Sequence, residues 1–85
     1  MSTNTIQSIA ATYIESVTAS QNFMLSGNRS ELDLHTELFK SADEKFEALI
    51  ATDSSQYDCE LRDIRYAIIQ GNFNDAKARY SALSN

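Results

Sequence analysis

The chain predicts an all-α fold, a small antiparallel bundle of four helices, two long and two shorter, joined by short connections. Proline is missing from the whole 85-residue sequence, so nothing forbids long uninterrupted helices. Glycine occurs twice, at Gly27 and Gly71, each followed by asparagine and each standing where an apolar helical pattern stops. Glycine accepts the left-handed conformation that closes a helix, so both Gly-Asn pairs mark helix ends. Between these breaks, apolar residues recur at three- and four-residue spacing, the period of an amphipathic helix.

The first helix is expected to open near Asn4, with Gln7 completing a capping-box-like pair, and to close at Gly27. Ile6, Ile9, Ala10, Tyr13, Ile14, Val17 and Met24 form its inward side; Gln7, Thr12, Glu15, Ser16, Thr18 and Asn22 form the outward side. Serine and threonine are poor helix formers, so packing has to supply much of this helix's stability.

Ser30 is expected to open the second helix, with Asp33 three residues on and Glu31 in the first turn, where the helix dipole favours negative charge. Leu32, Leu38, Phe39, Ala42, Phe46, Leu49 and Ile50 point inward with His35 among them; Asp33, Glu37, Lys40, Glu44 and Glu47 point outward. Residues 51–55 break the pattern, and Asp53 with Gln56, or Ser55 with Asp58, supplies the next cap. The third helix carries Tyr57, Leu61, Ile64 and Ile68 on one stripe and ends at Gly71. Asn72 or Asn74 caps a short last helix that turns Phe73, Ala76, Tyr80 and Leu83 inward.

Residues 65–83, RYAIIQGNFNDAKARYSAL, resemble the junction between two tetratricopeptide helices, with a Gly-Asn turn followed by Ala76, Tyr80 and Leu83. The resemblance covers under a quarter of the chain and supplies one unit, where a solenoid needs about three. It carries no function over.

One domain spanning 1–85 is the expectation at this length. The single cysteine, Cys59, precludes an internal disulfide and fits a reducing cytoplasm. Extra stability then has to come from association, which predicts a homodimer. The N-terminus is polar and uncharged and no apolar run approaches the length of a membrane span, so the expected location is cytoplasmic, away from membranes. The net charge of −5 is uneven: residues 1–59 hold nine acidic and three basic groups, residues 60–85 three and four. Most of the chain should therefore repel nucleic acid.

No catalytic, metal or phosphate-cradling motif is present, so neither an enzyme nor a cofactor is predicted. His35, the only histidine, has Glu31 and Phe39 as its helical neighbours, and no second histidine exists to build a transition-metal site. It sits on the apolar side and reads as a packing residue, at most a mild pH switch. Cys59 has Arg62 one turn away but lacks the strand-turn-helix elbow of a nucleophile. Asp43 and Glu44 read as part of a solvated helix face.

Protein binding is what remains. Cys59, Arg62, Tyr66 and Ile69 lie opposite the Leu61, Ile64, Ile68 stripe, so the third helix is apolar on two sides. Such a helix is either central in its fold or buried in an interface, and tyrosine and arginine are frequent interface anchors. Along the second helix, Asp33 with Glu37 and Asp43 with Glu47 are like-charge pairs that cost about 0.2–0.5 kcal/mol each, and the row suits a basic partner surface. The predicted function is thus a non-enzymatic acidic helical protein that binds another protein, a regulator or inhibitor of the phage, immunity or stress-regulator kind. Arg62, Tyr66 and Ile69 make the contact, and Glu37, Glu44 and Glu47 steer the partner. The alternative is a helix-turn-helix-like DNA-binding regulator using residues 60–83, with Ala67 four residues before Gly71 and with Arg62, Arg65, Lys77 and Arg79 on phosphate.

Overall fold

The computed structural model describes residues 3–52 and 58–84, which form α1 (Thr3–Ser26), α2 (Arg29–Thr52), α3 (Asp58–Ile69) and α4 (Phe73–Ser84). The architecture is the expected antiparallel bundle, with two helices of 24 residues and two of 12. At about 1.5 Å per residue the long pair runs some 36 Å, nearly the molecule's greatest dimension of 39 Å. The expected caps at Asn4 and at Asp53 or Ser55, and the inward Tyr57, fall outside the described residues or side chains.

Each Gly-Asn pair makes a whole helix-to-helix turn. Gly27, at φ 71°, sends its N–H to the Phe23 carbonyl at 2.7 Å, the single bond of a left-handed C-cap. Gly71, at φ 76°, bonds Ile68, and Asn72 bonds Ala67 at 2.8 Å, which together form a Schellman closure. The asparagine then starts the next helix. The Asn72 side-chain oxygen accepts from the Asp75 N–H at 3.3 Å, as expected for one of the two proposed caps. At the other turn the cap is Asn28, two residues before the expected Ser30. Its Oδ1 accepts from both the Ser30 N–H at 3.1 Å and the Ser30 hydroxyl at 2.9 Å. Ser30 therefore sits inside the first turn, its own hydroxyl spent on the asparagine.

The central element is α1, which packs against α2, α3 and α4, while α3 and α4 form a second hairpin on its far side. One core joins all four helices: Ile6, Ile9, Ala10, Tyr13 and Val17 meet Ala42, Phe46 and Leu49 of α2, Leu61, Ile64, Ala67 and Ile68 of α3, and Ala76 of α4. Enclosure by three neighbours buries α1 over a wider arc than one stripe. Ser16, expected on the outward side, is fully buried, with its hydroxyl donating to the Tyr13 carbonyl at 2.6 Å. Met24, expected inward, is 69% exposed, and Leu32 of α2 also lies open. Both fall near the α1–α2 turn, beyond the reach of the shorter α3–α4 hairpin. The other inward residues of α2 and α4 are buried or half-buried as their spacing predicts.

Candidate functional site

Because α1 takes the centre, the outer side of α3 is left without a neighbour. Leu61, Ile64, Ala67 and Ile68 are buried, whereas Tyr66 remains 64% and Ile69 55% exposed, with Arg62 exposed beside them. Between α2 and α3 lies a cleft of about 530 Å³. Phe46 and Ile50 give it an apolar floor, Asp43 and Glu47 wall the α2 side, and Arg62, Arg65 and Tyr66 wall the other. A neighbouring hollow of about 400 Å³ runs along α2 from His35 to Glu47, past Phe39 and Glu44.

The structure brings Arg62, Tyr66 and Glu47 to one cleft and sets Glu44 in the adjoining hollow. Ile69 and Glu37 line neither; they stand exposed on α3 and α2. Asp33, Glu37, Glu44 and Glu47 form no ion pair among the described residues. All four side chains are exposed.

Asp43 departs from the expected solvated face. Tyr13, wholly enclosed, donates its hydroxyl to Asp43 Oδ1 at 2.5 Å, and Arg65 donates Nε to the same oxygen at 2.8 Å and Nη2 to Oδ2 at 3.3 Å. The Arg65 guanidinium also stands 5.5 Å over the Phe39 ring, which meets Tyr13 edge-on. Burial first, and then the Asp43 carboxylate, push the Tyr13 hydroxyl far above its ordinary range, so it stays protonated and keeps donating. The hydrogen bond to Asp43 likewise holds Arg65 above its usual value. One carboxylate thus ties α1, α2 and α3 together. The sequence carried half a signal for this: an inward tyrosine needs a hydrogen-bond partner. Which carboxylate meets it depends on register across helices, which no local spacing records.

His35 is the expected packing residue, half-buried, its Nδ1–H donating to the Ser16 carbonyl at 2.7 Å. Cys59 is an exposed thiol. Among the described residues no group of three or more His, Cys, Asp or Glu is placed to hold a metal ion, and no helix is long and apolar enough to cross a membrane. The tetratricopeptide-like segment does form a helix–turn–helix hairpin, α3 to α4, but its cations are engaged. Arg65 holds Asp43, Arg79 pairs with Asp75 at 2.9 Å and Asp63 at 3.3 Å, and Lys77 donates to Gln21 at 2.8 Å. Comparison with protein-family models, with curated proteins and with solved structures found no match.

Proposed function

We propose that this is a non-enzymatic cytoplasmic protein that acts by binding another protein with a basic surface, as a regulator or inhibitor of the phage, immunity or stress-regulator type. The observation that carries this proposal is the open outer face of α3. Tyr66 and Ile69 are large and uncovered, and Tyr66 borders a cleft whose floor is Phe46 and Ile50. An exposed apolar patch rimmed by charge is a common mark of a protein contact. Arg62 and Tyr66 are of the residue types that anchor such contacts. The exposed row Glu37, Glu44 and Glu47 adds a negative rim that accelerates encounter with a basic surface more than it tightens the complex. Binding occludes the partner's basic surface, which is how a protein without chemistry of its own inhibits another.

The test is affinity capture from the native host with wild-type, Tyr66→Ala and Ile69→Ala baits. A partner held by wild type and lost from both variants is the expected result. Equal retention by all three baits would exclude this face. Duplex DNA serves as the control for the alternative, since a shift at low salt that Arg79→Ala abolishes would favour the helix-turn-helix role. The ion pairs of Arg65 and Arg79 argue against that outcome.

A further inference from the structure

The α2–α3 cleft and the hollow beside it form one continuous groove. Asp43 and Glu47 line both, so the two spaces meet there. The groove exists because α2 packs on α1, and α3 packs on α1 and α4, with no comparable packing of α2 on α3. Arg65 reaches across it to Asp43 and stands over Phe39. Along α2, Phe39, Asp43, Phe46 and Ile50 follow one another at four, three and four residues, so they share one face of the helix. Along α3, Arg62, Tyr66 and Ile69 follow at four and three, and likewise share one face. Each space has its own floor, Phe39 beside His35 in one, Phe46 and Ile50 in the other. Phe39 and Phe46 are seven residues apart, which is about 10.5 Å along the helix axis.

We propose that this groove takes one α-helix of the partner protein, seated by two apolar side chains seven residues apart and carrying its basic residues on the flank that faces α2. This assignment rests on the partner-binding reading above, since Tyr66 walls the same groove. Spacing selects a helix. Residues seven apart on a helix stand on nearly one face, about 10.5 Å from each other, which matches the separation of the two floors. A β-strand returns to one face about every 6.6 Å, so its side chains fall short of the second floor or overshoot it. Charge selects the flank. On the α2 rim Glu44 and Glu47 are exposed and outnumber Lys40, while Asp43 is already held by Tyr13 and Arg65. The α3 rim is the reverse, with Arg62 exposed and Arg65 half-buried, and with Asp63 paired to Arg79. A helix, about 10–12 Å across, is narrow enough to turn a basic flank to one rim and a neutral or acidic flank to the other.

The probe is an alanine-rich peptide of about 16 residues, long enough to populate a helix, with two leucines seven positions apart and lysines along one flank only. Titrated to about 1 mM into isotope-labelled protein and followed by amide NMR, it should bind with a Kd of about 100 µM. The shifted signals should cluster at Phe39, Phe46, Ile50 and Tyr66. A peptide of the same composition with its leucines five positions apart should bind about tenfold more weakly, because it fills only one floor. Replacing Glu44 and Glu47 together by glutamine should also weaken the first peptide; both side chains are exposed, so the fold is untouched. A peptide that shifts no groove signal overturns the proposal. So does equal binding at the two leucine spacings, or binding indifferent to the loss of Glu44 and Glu47. None of these outcomes alters the host capture by the Tyr66→Ala and Ile69→Ala baits, so the seated helix and the partner contact fail separately.

Discussion

Tyr13 is wholly buried, so its hydroxyl depends on Asp43, and Asp43 in turn holds Arg65. Removing the carboxylate strands a buried donor. Asp43→Ala is therefore expected to cost about 2–3 kcal/mol in urea denaturation, most of it from the orphaned hydroxyl, because the Arg65 side of the pair is well solvated. The pH dependence follows from the raised Tyr13 value. Below the ordinary value of 10.0 the hydroxyl is protonated in both folded and unfolded chains and contributes no slope. Above it the unfolded chain loses the proton and the folded one keeps it, so stability falls as pH rises. Between pH 9 and pH 11 the wild type should lose about 1 kcal/mol relative to Tyr13→Phe, a difference that parallel denaturation series at the two pH values will read. None of this was visible in composition. The inward position of Tyr13 was legible from its spacing, but its partner on α2 is 30 positions away.

At the level of helices, the two Gly-Asn pairs carry the topology. Both glycines have positive φ, and an added Cβ would meet nothing within 4 Å at either position. Replacement by alanine thus incurs backbone strain alone, and Gly71→Ala should destabilise by about 1–2 kcal/mol without altering the helical spectrum. Asn28→Ala should cost about 1 kcal/mol, whereas Ser30→Ala should be near neutral, which separates the true cap from the expected one. Helix number, order and relative length were readable because caps and apolar period are local properties. Ser16 and Met24 were misplaced because their exposure is not local. Ser16 is buried since α1 lies between α2 and the α3–α4 hairpin, and Met24 is bare since that hairpin is too short to reach it.

For the whole molecule, the shape follows from two hairpins of unequal length, the shorter packed on α1 of the longer. That arrangement leaves two apolar surfaces uncovered, the outer face of α3 and the α1–α2 tip. The first was legible in the sequence, because Tyr66 and Ile69 lie opposite a complete core stripe. The second was not, because Met24 and Leu32 continue core stripes and look inward by spacing alone. The proposed steering role of the acidic row belongs here as well. Replacing Glu44 and Glu47 together by glutamine should slow partner association and flatten its salt dependence, while leaving dissociation nearly unchanged, as surface-binding kinetics at two ionic strengths will show.

The contact itself is best caught where it forms. With a photo-reactive phenylalanine in place of Tyr66, irradiation of living host cells should join the chain to one distinct host protein, and competition by unmodified wild type should remove the product. If irradiation yields no adduct, or only the chain joined to itself, the outer side of α3 is not where this protein meets its partner.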